Sequence, residues 1–379
     1  MFYYLHLLTD LFSPLRVFRY ITVRALLGAG TAFAISLLVG PAMIRALRRF
    51  RIGQQVRRDE APPLYVFHGK KAGTPTMGGL LILVAVTVSV LLWAVPESPY
   101  IWLTLSTFWY MGAVGFWDDY IKIKRRRSKG LGARSKLLLQ GLWVLAVGAA
   151  LLTMPSTRVT VRQLMMPFLK APVLADMGVL FTLAFLALVI VGSTNAVNLT
   201  DGLDGLAIGC TNSVAVAYLV MAYVAGHVQF AQYLQVPHIA GSGELAVFCA
   251  CLLGAGLGFL WFNCHPARIF MGDTGSLALG GAIAMVAVLV KQELALIIAG
   301  GVFVMEAVSV LLQVAYFKMT GGRRIFKCSP IHHHFELVEK EQAEREGRDP
   351  EVVETLITIR FWILSIIFTL LGVATLKIR

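Results

Sequence analysis

Charge is scarce in this chain. Only 15% of its 379 residues are Asp, Glu, Lys or Arg, against roughly 25% in soluble domains, and 57% are hydrophobic. With a mean hydropathy of +0.73, this excludes a soluble globular chain and predicts an all-α polytopic integral membrane protein. Cysteine is sparse too. Cys210, Cys249, Cys251, Cys264 and Cys328 include no Cys-x-x-Cys pair, which argues against a zinc or redox framework and suits small packing residues in or beside the membrane. No repeat or low-complexity tract stands out. Residues 1–20 are aromatic but lack a continuous apolar core, so they read as an interfacial segment and not a cleavable signal.

Ten apolar runs approach or reach the roughly 17 to 25 residues that cross a bilayer. They lie near Val23–Ile44, Met77–Val95, Tyr100–Trp117, Leu137–Met154, Leu174–Gly192, Leu206–Ala225, Glu244–Trp261, Ser276–Val290, Leu294–Phe317 and Leu356–Leu376, and residues 1–379 read as one membrane domain. Of 34 Lys and Arg, 25 fall in the loops of one face and nine on the other. The crowded face is cytoplasmic by the positive-inside rule, which puts both termini outside. The net charge of +13 is then explained by topology and anionic lipid, with no nucleic-acid partner required. Residues 336–354, dense in Glu, Arg and Lys, read as a charged cytoplasmic insert.

The polar motifs all fall on that same face. Between two apolar runs lies Asn195-Ala-Val-Asn198-Leu-Thr-Asp201-Gly-Leu-Asp204-Gly205, too polar to face lipid. Were it to begin a helix, Asp201 and Asp204 would share a face and aim two carboxylates at a cation or phosphate; the plain alternative is a loop that uses Asn and Asp for turns and caps. Thr76 lies in a glycine-rich loop, His68 to Gly79, in which Lys70 and Lys71 supply charge for an anion. Trp117-Asp118-Asp119-Tyr-Ile-Lys122 sets two mutually repelling acids beside a lysine one turn later; the pair suits a metal-bound polyphosphate, although Asp118 and Lys122 also fit an ordinary helix-surface pair. Lys129 belongs to a basic patch suited to lipid headgroups. Lys136 and Gln140, one turn apart, are placed to reach the site. Asn263 precedes Phe270-Met-Gly-Asp273-Thr-Gly-Ser276, where an acid between glycines is either a helix cap or a metal ligand. Glu306 is an intramembrane acid, functional by default. His332, His333 and His334 follow Pro330-Ile331; three neighbours on an extended stretch do not ligate one metal comfortably, so they are read as hydrogen-bonding to phosphate, nucleotide or sugar oxygens.

Taken together and in this order, Gly-Lys-Lys-x-Gly-Thr-Pro-Thr-Met-Gly-Gly, Asp-Asp-x-x-Lys, Asn-Leu-Thr-Asp-Gly-Leu-Asp-Gly, Phe-Met-Gly-Asp-x-Gly-Ser and Pro-Ile-His-His-His-Phe-Glu resemble the phospho-N-acetylmuramoyl-pentapeptide transferase family, within the polyprenyl-phosphate N-acetylhexosamine-1-phosphate transferases. The resemblance runs from about Arg45 to Arg379. It implies transfer of phospho-MurNAc-pentapeptide from UDP-MurNAc-pentapeptide to undecaprenyl phosphate at the bacterial cytoplasmic membrane, giving lipid I and UMP, with Mg²⁺ as cofactor and a homodimer as assembly. It also implies roles. Asp273 is the principal metal ligand, with Asp118, Asp119 and Asn198 as further candidates. Asp118 and Asp119 act on the lipid phosphate. Lys70, Lys129 or Lys136, Asn195, Asn198 and Asp201 line the nucleotide and diphosphate site, with Thr76, Lys122, Asp204, Asn263, Ser276 and His334 as further substrate contacts. His332 and His333 lie near the sugar or pyrophosphate, and Glu306 at the floor. A sister transferase using UDP-N-acetylglucosamine, and a transporter, remain as alternative functions, and direct transfer and an aspartyl-phosphate route as alternative mechanisms.

Overall fold

The computed structural model describes residues 1–49, 73–125, 130–350 and 352–378. Lys70 and Lys129 lie outside them. Among the described residues the fold is helical, with an isolated β-bridge between Leu164 and Leu174.

Three helices form the centre. α6 (Leu206–Gly226), α7 (Glu244–Asn263) and α8 (Gly272–Leu289) are apolar round most of their circumference, and every residue of α8 from Thr274 to Leu289 is buried. Around them stand α1 (Ile21–Arg49), α2 (Gly79–Trp93), α3 (Pro99–Arg125), α4 (Ala133–Thr153), α5 (Gly178–Thr200), α9 (Gly301–Met319) and α11 (Val352–Ala374), with the polar helix α10 (Ile331–Arg345) before the last. The outer helices turn apolar side chains outward: Leu38, Leu180, Leu188, Leu311 and Leu370 are all exposed. A helix that is apolar both inward and outward is at home in lipid. Eight described helices are long and apolar enough to cross a membrane. The other two predicted runs fall on α2, which is apolar but 15 residues long, and on α3, which continues past Trp117 through Asp118, Asp119 and Lys122.

Two expected spans need correction. The run Leu294–Phe317 is not one helix: a short helix Ala295–Ala299 ends at Gly300, and the Phe368 ring occupies the space where a side chain on Gly301 would stand. The run starting at Ser276 begins earlier, so Asp273 lies in the first turn of α8. The charged insert is also less solvated than composition suggested. Glu336, Lys340 and Ala343 are buried, because α10 lays one face on the body of the protein.

Charge inside the bundle is paired. At the end opposite the polar motifs, Arg24 of α1 donates to both carboxylate oxygens of Glu244 at 2.7 and 2.6 Å and to the Trp93 carbonyl at 3.0 Å. The Val95 amide completes Glu244 at 2.9 Å. Apart from Arg24 Nε, which has no partner among the described residues, the pair's polar atoms are satisfied, and a buried ion pair depends on such partners.

Candidate active site

At the other end of the bundle the termini of α3, α4, α5 and α8 meet. Asp119 accepts from the Thr274 amide at 3.0 Å, the Thr274 hydroxyl at 2.8 Å and the Asp273 amide at 3.3 Å. It therefore caps α8 from a different helix, supplying an anion where first-turn amides lack partners. The close approach depends on Gly115, since a Cβ there would collide with the Asp273 carbonyl. Thr76 borders the same point: a Cβ on Gly272 would come within 2.9 Å of its hydroxyl and 2.7 Å of Asp119 Oδ2. Asp118, on the adjacent side of α3, accepts from the Leu131 amide at 2.8 Å.

Capping by Asp119 leaves the Asp273 side chain free to face inward. Lys122 Nζ lies 2.6 Å from Asp118 Oδ2, 3.6 Å from Asp119 Oδ1 and 3.1 Å from Asp273 Oδ1. Lys136 Nζ reaches Asp273 Oδ2 at 2.6 Å and Asn198 Oδ1 at 3.5 Å. Asn198 donates to Asp273 at 3.0 Å and to Ser276 Oγ at 2.8 Å. Asn195, one turn earlier on α5, is occupied by Gln140 Oε1 at 2.8 Å, so it braces α4 against α5 behind the cluster.

The crowding shows in the acid strengths. Burial, then the charge of Asp273, pushes Asp119 up to about 6 against the pull of Lys122 and the Thr274 donors. Asp118 is raised by the same two causes in the same order. Burial works against the Lys122 ammonium, but Asp273, Asp119 and Asp118 outweigh it and hold it above its ordinary value. Asp201, half-buried in the turn after α5, is pushed up to about 8 by burial and by Asp273, Asp119 and Asp204. It therefore lies within the field of the cluster without a direct bond to it.

Asp204 does not join. The segment after Thr200 is a turn, not a helix start, and the Asp204 carboxylate turns to His265 Nδ1 and the Ala267 amide, both at 3.1 Å. Its amide donates to Glu354 of α11 at 2.9 Å, and Glu354 lies 3.6 Å from His265. Asn263 accepts from the Gly205 amide at 3.1 Å and donates to the Ile269 carbonyl at 2.8 Å. Both residues tie loops together rather than lining the acidic cluster.

The histidines are helical, not extended, because α10 starts at Ile331. Their Nδ1 atoms consequently meet different partners. His332 Nδ1 meets Glu306 Oε2 at 3.0 Å, His333 Nδ1 meets Glu336 Oε2 at 2.9 Å, and His334 Nδ1 accepts from the Lys327 amide at 3.2 Å. His332 and His333 both press on Gly202, beside Asp201. His334 packs on Phe326 and faces away.

Residues 101–291 match the family model described as Glycosyl transferase family 4, and residues 71–83 match phospho-N-acetylmuramoyl-pentapeptide-transferase signature 1. The chain is 48% identical to the phospho-N-acetylmuramoyl-pentapeptide-transferase of Methylacidiphilum infernorum, 51% to that of Desulfotalea psychrophila and 52% to that of Solidesulfovibrio magneticus, each match covering 100% of both chains. The chain belongs to the phospho-N-acetylmuramoyl-pentapeptide-transferase family.

Sequence reasoning had missed several partners that fix this transferase's motif acids in place. Thr274 could have been suspected, since a hydroxyl beside an acid in a first helical turn commonly serves capping. The Leu131 amide, His265 and Glu354 carry no local signal, because their partners lie 13, 61 and 150 residues away along the chain.

Proposed function

We propose that the chain transfers phospho-MurNAc-pentapeptide from UDP-MurNAc-pentapeptide to undecaprenyl phosphate, forming lipid I and UMP at the cytoplasmic face of the bacterial inner membrane. The observation that carries this reading is Asp273, presented by a capped helix start between two ammonium groups and two further carboxylates, at one end of an apolar bundle. Such a position suits an acceptor whose phosphate lies at headgroup depth and a donor that arrives from the cytosol.

Asp118, Asp119 and Asp273 offer carboxylate oxygens within 4.8 Å of one another. Hard oxygen donors of this kind fit Mg²⁺, with Asp273 as principal ligand. Bound there, the ion would supply charge neutralisation for the diphosphate. Lys122 and Lys136, now held by Asp273, supply positive charge to phosphate oxygens, and Asn198 orients Asp273. The lipid phosphate oxygen forms a bond to the β-phosphorus as the bond from that phosphorus to the bridging oxygen breaks and UMP leaves with the electron pair. A phosphate monoester with a second pKa near about 6 is already largely dianionic at pH 7, so a general base is not required. Asp118, held by Leu131 and Lys122, orients. We expect the working assembly to be a homodimer.

The test is UMP release by the purified chain in detergent with Mg²⁺ and undecaprenyl phosphate. Release with UDP-MurNAc-pentapeptide and not with UDP-N-acetylglucosamine, lost in Asp273→Ala, is the expected outcome. Release with the acetylglucosamine donor instead would overturn the donor assignment.

A further inference from the structure

Glu306 and His332 form a pair that the phosphate chemistry above does not use. Glu306 sits inside α9 and His332 in the first turn of α10, both 0% exposed, with Nδ1 and Oε2 3.0 Å apart. Their remaining polar atoms, Glu306 Oε1 and His332 Nε2, have no hydrogen-bond partner among the described residues. Nε2 is aimed at the turn that carries Asp201: a Cβ built on Gly202 would collide with it and come within 3.1 Å of His333 Nε2. The titratable and charged groups around the pair are the His333 ring, whose centroid is 4.2 Å from that of His332, Glu336 and Lys340 behind His333, Asp201 beside Gly202, and Cys210 of α6 within the field of Glu306.

A buried acid and base this close are least costly at net charge zero. That condition fixes the number of protons, though not where the shared one lies. Either the carboxylate faces an imidazolium, or a carboxyl donates to Nδ1 of a neutral ring. A third neutral arrangement, in which Nδ1–H donates to a carboxyl protonated on Oε1, leaves that buried hydroxyl without an acceptor and is disfavoured; in the other two Nε2 carries a hydrogen. A histidine without the acid is under no such constraint.

We propose that Glu306 is a positioning residue that keeps His332 Nε2 a permanent hydrogen-bond donor, directed past Gly202 at a phosphoryl or hydroxyl oxygen of the bound nucleotide sugar. The identity of that ligand rests on the transferase reading; the protonation of Nε2 does not. As the acid partners of metal-bound histidines do, Glu306 sets the ring's orientation and its protonation; here the outward nitrogen keeps its hydrogen, where a metal-bound one is bare.

The experiment uses the full chain in detergent micelles with ¹⁵N-labelled histidine. The Nε2 resonance of His332, identified by its loss in His332→Gln, is expected in the protonated class at pH 8; an unprotonated Nε2 overturns the proposal. In turnover with UDP-MurNAc-pentapeptide, Glu306→Leu lowers kcat by about 10- to 100-fold with little change in KM. Glu306→Gln, whose amide donates to Nδ1 as a carboxyl would, restores most of it. His332→Gln places an amide donor near Nε2 that needs no acid, so adding Glu306→Leu to it costs nothing further. Equal losses in the Gln and Leu variants, or losses that multiply in the double variant, overturn the proposal. Inactivity of the unaltered chain with this donor would instead sink the transferase reading, and the resonance would still decide the protonation.

Discussion

Asp118 and Asp119 are neighbours in sequence but perform different work, and removing each in turn separates the two. Asp119→Ala strands the Asp273 and Thr274 amides, while the Thr274 hydroxyl can rotate to another acceptor. Each stranded buried amide costs about 1–3 kcal/mol. Loss of an anion at a helix start adds about 1 kcal/mol, and relief of the crowding with Asp273 and Asp118 returns about as much. With the long Asp273 bond taken at about 1 kcal/mol and the Thr274 bond at about 2 kcal/mol, the net is about 3 kcal/mol. With an unfolding entropy of about 2 cal/mol/K per residue over 379 residues, this lowers Tm by roughly 4 °C. Asp118→Ala loses the Leu131 bond, worth about 1 kcal/mol, and one of three carboxylates around Lys122, which keeps Asp119 and Asp273; relief of the same crowding offsets part of this, so its Tm moves by about 1 °C or less. The assay is thermal unfolding of the detergent-solubilised chain in EDTA, which removes any contribution of bound metal. Equal Tm losses in the two variants, or an unchanged Tm in Asp119→Ala, would refute the division of labour.

Three further outcomes are expected. Asp201 is held protonated up to about 8 in the folded chain and ionises near about 4 when unfolded, so the unfolded state binds fewer protons between those values and its contribution to stability falls as pH rises across them; Asp201→Asn should flatten the Tm-against-pH curve over that window in EDTA, and an unchanged slope would contradict the assignment. Gly202→Ala puts a methyl group against a His332 ring already fixed by Glu306, and UMP release should drop at least about 10-fold; Gly192→Ala, whose methyl group meets nothing, is the silent control. Mg²⁺ at about 100 times its Kd should stabilise the protein by about 2.7 kcal/mol and leave Asp273→Ala unmoved; a variant that gains equally would place the ion elsewhere.

Much of this molecule follows from periodicity and composition alone. Nine of the ten apolar runs each centre on one helix and the tenth is broken at Gly300, because an apolar segment in lipid has no alternative to internal backbone hydrogen bonding. The motif acids were visible for the converse reason: Asp118, Asp119, Asp201 and Asp273 are expensive beside hydrocarbon and are kept only where something offsets them. Their division into roles was not visible. Nothing local distinguishes Asp118 from Asp119, or Asp201 from Asp204; what separates them is which helix end arrives opposite, and that depends on packing of chain segments 61 to 155 residues apart. The three histidines show the same limit. Consecutive residues on a helix point about 100° apart, so one run serves Glu306, Glu336 and the Lys327 amide. Sequence by itself determined the membrane class, the helices and the inventory of polar groups, since these depend on transfer free energy and short-range hydrogen bonding. Tertiary structure decided which carboxylate caps, which faces the lysines and which holds a histidine, since those assignments arise only when helix termini distant in the chain are brought within a few ångströms.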